Sequence, residues 1–159
     1  MITLAILQKM VADGVAGLQQ DKTIFWEEAP LQKNGAPAQG VWIVTRGGSL
    51  AGTPHGLNQN ATADFYVAFA DKTKTETTLR EILDWIRKNL GICELSGTVG
   101  DSRYSFTNIR IRPTASPSNS GVTSNGLIVK VASAEIYYDQ PTKPGGLTCQ
   151  PHKSPSSAA

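Results

Sequence analysis

Residues 62–91 constrain the fold more than any other stretch, because a strand pattern leads almost directly into a helix pattern. In TADFYVAFAD, Phe65, Val67 and Phe69 alternate with residues that are also largely apolar. Apolar residues on both faces predict a central strand. In the following TTLREILDWIRKNLG, apolar residues recur at helical spacing, at Leu79, Ile82, Leu83, Ile86 and Leu90. This spacing predicts an amphipathic helix that packs on a sheet.

The ends of this helix also carry signals. Thr78 and Glu81 have the spacing of a capping box, and Gly91 suits the residue after the last turn. Trp85 lies at the flank of the apolar stripe. We favour an aromatic side chain that closes the edge of the core over an exposed anchor for a partner.

The other elements are a first helix and four further strands. The helix stripe starts after a capping Thr3 and contains Leu4, Leu7, Val11, Val15 and Leu18. The strand runs are TIFWEE, GVWIVTR, YSFTNIRIR and LIVKVASAEIYYD. In each of the last two runs the apolar residues change from even to odd positions, or the reverse, which predicts a bulge or a strong twist.

Together these patterns predict an α+β fold in the broad α/β class. We expect a mixed or mainly antiparallel sheet flanked by two amphipathic helices, with extended loops and a C-terminal tail. Residues 1–139 form a single domain, with a protruding arm at residues 113–126. Residues 140–159 are rich in proline, glycine and serine and predict an extended or flexible tail.

The predicted arm has the sequence PTASPSNSGVTSNG, with no charge and no aromatic side chain. It separates two strand patterns that are expected to pair, although hairpin loops usually have about two to five residues. An arm of this composition could order on a neighbouring subunit through hydrogen bonds in a wet interface. The alternative is a solvent-exposed loop without a role.

The sequence offers no convincing catalytic, metal or cofactor site. His55 and His152 lie far from the two cysteines, Cys93 and Cys149, which we expect to be free thiols, with Cys93 buried. The segment TRGGSLAGTPHG matches no phosphate-binding motif and predicts a mobile loop. The formal net charge is +2, and the chain has neither a signal peptide nor a membrane-spanning run. We therefore expect synthesis in the cytoplasm.

Basic side chains give one further indication of a possible binding surface. Arg110 and Arg112 alternate with two isoleucines, so both guanidinium groups are expected on one face of a strand. Such pairs most often only solvate a sheet, but they also suit an acidic partner surface or passing nucleic acid. Lys72 and Lys74, in the turn before the helix, allow the same two interpretations.

The order of elements resembles that of the tail-terminator proteins of long-tailed phages and of related minor tail and head-tail joining proteins. The resemblance covers residues 1–139 and is carried by VWIVTRGG, ADFYVAFADKTKTETTLREILDWIRKNL and IVKVASAEIYYD. It implies a six-fold ring of identical subunits that caps the tail tube protein and stops its polymerisation. It also implies a surface for the head-completion or connector protein and a lumen through which DNA passes without sequence-specific binding.

A structural ring protein of this kind needs no catalytic residue, cofactor or metal, and no membrane contact. Its location would be the virion, at the head-tail interface. The residues that we assign to a subunit or partner interface are Pro113, Ser116, Ser118, Asn119, Val122, Asn125, Arg110, Arg112, Lys72, Lys74 and Arg46.

Two other classes of protein remain open. One is another tail or head-completion subunit of a virion, which could polymerise without limit. The other is a small ligand-binding or enzymatic α+β domain that uses the loop at residues 47–60 as a lid, with Arg46 and His55 as polar groups.

Overall fold

A computed structural model describes residues 1–47, 50–53, 56–114 and 117–139. This part of the chain contains two α-helices, a short 3-10 turn at Val15–Gly17, and eight strands. The helices are α1 (Ile2–Ala12) and α2 (Lys72–Lys88). The strands are β1 (Ile24–Trp26), β2 (Gly40–Arg46), β3 (Leu50–Thr53), β4 (Gly56–Phe69), β5 (Gly91–Val99), β6 (Ser102–Pro113), β7 (Ser118–Val122) and β8 (Ile128–Asp139). Neither described helix is long and apolar enough to cross a membrane.

The predicted fold class is wrong. The protein is mostly sheet, with 49% strand and 25% helix, and the sheet curls into a half-barrel rather than forming a layer flanked by two helices. Helix α1 packs against β1, β2 and β5, so it contacts strands from both ends of the curled sheet. Seven of its eleven residues are buried. A helix that is apolar on most sides belongs in a core, and α1 fills the inside of the half-barrel.

One eight-stranded sheet runs through the molecule in the order β1-β2-β4-β8-β6-β5, with β3 paired to β4 and β7 paired to β8. Among the described strands, β1 and β2 are the only pair that is parallel. At the centre, β4 and β8 pair antiparallel without interruption from Asn58↔Asp139 to Phe69↔Ile128. The prediction that residues 62–71 contribute a central strand is confirmed.

Each long central strand has a partner that is built from two pieces. Along β4, strand β2 ends with Arg46 opposite Thr62, and β3 resumes with Leu50 opposite Gln59. Along β8, strand β6 ends at Pro113, and β7 resumes with Ser118 opposite Val131. Because β4 and β8 are antiparallel, the β3–β4 and β7–β8 hairpins lie at opposite ends of the sheet.

The two faces of the sheet explain the change of phase in β8. Ala132, Ala134 and Ile136 belong to the main core around α1, whereas Val129 belongs to a smaller cluster that also contains Leu127 and Val131. Alternate residues of a strand point to opposite faces. Of the two predicted alternatives, a bulge or a strong twist, the bulge is excluded for β8, because its pairing with β4 is unbroken. The strand buries a different face in each half.

The predicted irregularity in β6 is confirmed. The register against β8 shifts between Thr107 and Arg110. Asn108 lies in this gap with a φ of 50°, a left-handed conformation that asparagine tolerates better than most residues. The shift lets Phe106 and Ile109 both enter the core, although one is at an even and the other at an odd position.

Helix α1 does not begin with a capping Thr3. Thr3 is fully buried within the helix; its hydroxyl oxygen lies 2.8 Å from that of Thr45 and accepts a hydrogen bond from Trp26 Nε1 at 3.0 Å. Glu27 accepts hydrogen bonds from both the backbone N–H and the hydroxyl of Thr45. This polar network fixes the start of α1 against β1 and β2. The helix ends at Ala12, so Val15 and Leu18 lie in and after the 3-10 turn instead.

Helix α2 begins earlier than the sequence pattern predicts. Asp71 caps it by accepting a hydrogen bond from the backbone N–H of Thr73 at 2.9 Å, whereas Thr78 is buried inside the helix. Leu90 follows the helix and is exposed. Trp85 is buried and donates from Nε1 to Asp13 Oδ2 at 2.8 Å, which confirms that it closes the edge of the core.

This contact between Trp85 and Asp13 should make stability depend on pH. The hydrogen bond from Trp85, aided by Lys9, lowers the pKa of Asp13 below its ordinary value of 3.8. A carboxyl group whose pKa is lower in the folded state contributes stability above its unfolded pKa and loses it as pH falls through the folded pKa. We expect the melting temperature of Asp13→Asn to lie slightly below that of the wild type at pH 6 and to converge with it below pH 3.

The control is Asp84→Asn, which removes a carboxylate that pairs only with Arg87 on the helix surface. Exposed pairs contribute little to stability, so its melting curve should follow the wild type at every pH. A constant difference between Asp13→Asn and the wild type down to pH 2 would contradict the assignment.

Candidate subunit-contact surfaces

The segment predicted as a protruding arm is held against the sheet. Over Ser118–Val122 it forms β7, which pairs antiparallel with β8. The remaining connection is the turn at residues 123–127, where Thr123 N–H donates to the Leu127 carbonyl at 2.9 Å and Gly126 N–H donates to the Thr123 carbonyl at 3.0 Å. Asn125 Nδ2 also donates to the Pro37 carbonyl at 3.1 Å. The segment is therefore a hairpin strand with a five-residue turn.

The outer edge of β7 is open. Strand β5 covers β6 only between Ser102 and Arg110, and among the described residues no strand lies beside β7 on the side away from β8. All five residues of β7 are exposed, and none of them is charged. Val122 has 69% of its surface accessible. Natural proteins usually protect such an edge with charge, proline or a covering element.

The edge of β5 shows how this protein closes an edge elsewhere. The side-chain amide of Gln8, on α1, donates to the Thr98 carbonyl at 2.8 Å and accepts from the Thr98 N–H at 2.9 Å. The amide thus makes the two hydrogen bonds that a neighbouring strand would make. At Gly97, an added Cβ would lie 3.0 Å from the Cβ of Ala5, so α1 lies directly against the strand.

A cavity of about 500 Å³ lies between the start of α2 and the β7–β8 hairpin. It brings together three of the predicted site residues, Lys72, Asn119 and Val122. On its wall, Lys130 Nζ lies 2.9 Å from Glu76 Oε1, and the hydrogen bond and charge of Lys130 lower the pKa of Glu76. Lys74 does not line this cavity but a separate one beside Gly14 and Glu81, and its Nζ lies 4.6 Å from the centre of the Phe69 ring.

Arg110 and Arg112 occupy a separate surface. Ile109 and Ile111 are buried and both arginines are exposed on the opposite face, so the predicted alternation is confirmed. In the register of β6 and β8 they stand opposite Tyr137 and Glu135. The Tyr137 hydroxyl donates to Glu135 at 3.1 Å, and this hydrogen bond raises the pKa of the phenol.

The arginine pair and the hairpin cavity are far apart. Glu135 is five residues along β8 from Lys130, which lines the cavity, and this is about 17 Å in an extended strand. Pro113 ends β6 opposite Ala134, between the two surfaces. Ser116 lies outside the described residues, and so does His55 of the alternative ligand site.

Arg46 has a partner within the sheet. Its NH2 group donates to Asp64 Oδ1 at 2.9 Å, its Nε also contacts Asp64, and the Ser133 hydroxyl donates to the same Oδ1 at 2.5 Å. Asp64 is only 3% exposed, so the guanidinium compensates a buried charge, and the bond to Asp64 raises the pKa of Arg46. This arrangement gives Arg46 a structural role.

The segment predicted as a mobile loop contains regular pairing instead. Residues 50–53 pair with residues 56–59 as the β3–β4 hairpin, which leaves little of the proposed lid over a ligand site. The sequence also missed an aromatic stack on the outer face, where the rings of Trp42 and Tyr66 lie 5.6 Å apart at an angle of 8°. The alternation of Trp42 with Val41 and Ile43 was the available signal.

Cys93 corrects two expectations, because it is exposed and disulfide-bonded rather than buried and free. Cys149, the other cysteine of the sequence, lies outside the described residues. Within the described ranges, no group of three or more His, Cys, Asp or Glu side chains could hold a metal ion.

No family model and no curated protein matches this chain.

Proposed function

We propose that the protein is a structural subunit of a phage tail, of the tail-terminator kind. Its copies form a closed ring of six that caps the tail tube, stops its polymerisation and offers a surface to the head-completion protein. The observation that carries this proposal is the open edge of β7, which is uncharged and displays Val122.

The edge supports an assembly role because it offers unpaired backbone groups in a fixed position. A hairpin that already pairs with β8 loses little conformational entropy when another chain adds to it. Subunits of a ring meet through two different surfaces, one on each side, so that the contact repeats until the ring closes. An open edge on one side of a rigid sheet is suited to such a contact.

The exposed Arg110 and Arg112 support a second part of the proposal. They stand opposite Glu135 and Tyr137, four and six residues along β8 from Val131, where the hairpin pairing ends. At about 3.4 Å for each residue these offsets are roughly 14 and 20 Å, so the arginines can face a different partner. In a ring around DNA, exposed guanidinium groups contact phosphates without reading the sequence. They equally suit an acidic patch on a neighbouring tail protein.

The open edge also suits a tail-tube subunit, which repeats the same kind of contact without closing. A terminator should stop at one size, whereas a tube subunit forms open polymers. Electron microscopy of the purified protein distinguishes the two, since closed rings support the terminator and tubes support the alternative.

The proposal predicts that Val122→Lys prevents ring formation. The side chain is 69% exposed, so lysine should not disturb the fold, but it places a charge at the edge where the next copy binds. We expect a ring mass for the wild type and a monomer mass for the variant, with an association at least about tenfold weaker. Native mass spectrometry and light scattering give both masses.

Leu31→Lys is a matched control, because Leu31 is 70% exposed and lies away from the hairpin, beside β1 and the end of β5. It should form rings like the wild type. A wild-type protein that remains monomeric at high concentration, alone and with tail tubes, would refute the proposed function.

A further inference from the structure

A second strand edge is open at the other end of the sheet. Strand β1 pairs with β2 only from Val41 to Ile43, and β3 has no described neighbour on the side away from β4. The backbone of β3 pairs with β4 from Leu50 opposite Gln59 to Thr53 opposite Gly56. The sequence of β3, Leu-Ala-Gly-Thr, carries no charge.

The two open edges are diagonally opposed. Strand β3 lies beside β4 near Asp139, and β7 lies beside β8 near Ile128. Their centres are offset by ten residues along β8, or about 34 Å at roughly 3.4 Å per residue. One edge faces away from β8 and the other away from β4, so they lie on opposite sides of the molecule.

The directions of these strands fit a contact between equivalent copies. Strand β3 runs antiparallel to β4, β4 antiparallel to β8, and β8 antiparallel to β7. It follows that β3 and β7 run in opposite directions within one molecule. If a second copy keeps nearly the same orientation, its β3 meets the β7 of the first as an antiparallel neighbour, which is the commoner arrangement.

The free positions beside β3 and β7, and the lengths of the two strands, also suit this pairing. Among the described residues, no strand occupies the position beside β3 beyond β1 or the position beside β7 before β5 begins. β3 has four residues and β7 has five, so each edge can accept the other over its whole length. Neither strand brings a charge that would repel the other.

From these observations we infer that β7 of one copy pairs antiparallel with β3 of the next, which continues one sheet into its neighbour. This inference rests on the proposed function, since it names the contact that builds the ring. Each copy is displaced from the next by about 34 Å along the strand direction. The contact is between two different edges, so it repeats around a ring instead of stopping at a dimer.

The test uses one blocking substitution in each edge. Ser120→Pro changes the residue that β7 leaves out of its register with β8, and proline is tolerated at bulges and on edges. Ala51→Pro changes the second residue of β3. Each variant alone should be monomeric at concentrations at least about tenfold above those at which the wild type assembles.

An equal mixture of the two variants is the decisive sample. Ser120→Pro retains a free β3, and Ala51→Pro retains a free β7, so the mixture should form a heterodimer with one intact contact. A dimer of Ala51→Pro alone would instead indicate β7 pairing with itself and would overturn the inference. Rings formed by either variant alone would also overturn it, while leaving the proposed ring function in place.

Circular dichroism checks that both variants fold. If Ala51→Pro does not fold, hydrogen exchange of the wild type replaces it, because the amides of residues 50–53 and 118–122 should both gain protection when the monomer assembles. Assembly without added protection in either strand would refute the pairing.

Discussion

Replacing Ile86 by Asp should leave no soluble folded protein. Ile86 is 1% exposed on the face of α2 that packs on β4 and β8. A carboxylate there would lie in the main hydrophobic cluster, and its burial costs roughly 4 kcal/mol or more. Since domains of this size are stable by about 5–15 kcal/mol, we expect inclusion bodies on expression and no cooperative unfolding transition after refolding.

Leu83→Asp is the matched comparison. The sequence pattern places Leu83 and Ile86 in the same stripe, but Leu83 is only partly buried at the edge of the core. Its aspartate can reach water, so this variant should fold with a melting temperature lowered by several degrees. Equal loss of folding in both variants would mean that α2 presents a different face to the sheet.

Gly40→Ala should be the most damaging single-methyl change in the sheet. Gly40 has a φ of 148°, and a Cβ there would lie 2.5 Å from the Thr23 carbonyl oxygen. That oxygen cannot move away freely, because it accepts a hydrogen bond from Val41 N–H at 2.8 Å. We expect a loss of about 2–4 kcal/mol in the free energy of unfolding, measured by urea denaturation.

Gly91→Ala provides the control for Gly40→Ala. Gly91 opens β5, and an added Cβ would meet no atom within 4 Å. This variant should stay within about 0.5 kcal/mol of the wild type. A similar loss for both glycines would show that the effect comes from strand propensity and not from the close approach to Thr23.

Much of the fold could be predicted from the sequence where a segment has one solvent-exposed face and one buried face. Strand β2 has the bounds that GVWIVTR predicts, and the alternation of Ile109 and Ile111 with Arg110 and Arg112 correctly places the arginines outside. In these segments burial alone decides which way each side chain points. In these segments, the local sequence is therefore enough to predict which side chains are buried.

The two hairpins could not be predicted in this way. Strand β7 is exposed on both faces, so its sequence Ser-Asn-Ser-Gly-Val shows no alternation. Both β3 and β7 exist because β4 and β8 extend beyond the ends of β2 and β6 and supply hydrogen-bonding partners there. Pairing with a distant strand leaves no pattern in the paired segment itself. The open edges, which carry the proposed site, therefore have sequences typical of loops.

The start of α2 could not be predicted from the sequence for a different reason. Thr78 has the residue type and spacing of a helix cap, yet it lies in mid-helix and is buried. The earlier Thr75 satisfies its own hydroxyl within the helix by donating to the Asp71 carbonyl at 3.1 Å. Because threonine can bond back to the preceding turn, a threonine-rich first turn permits two starting points, and packing on β8 selects the earlier one.

The pairing of β4 with β8 has a consequence for how the chain acquires its structure. Residues that are far apart in sequence, such as Asn58 and Asp139, lie opposite each other at the centre of the sheet. High contact order slows folding, because a long loop must close before the contacts form. During synthesis, β4 and α2 leave the ribosome well before β8 does. Until β8 follows, the edge of β4 that pairs with it cannot form its backbone hydrogen bonds. The domain should therefore reach its native state only after translation has passed residue 139, and a truncated chain that lacks β8 should aggregate.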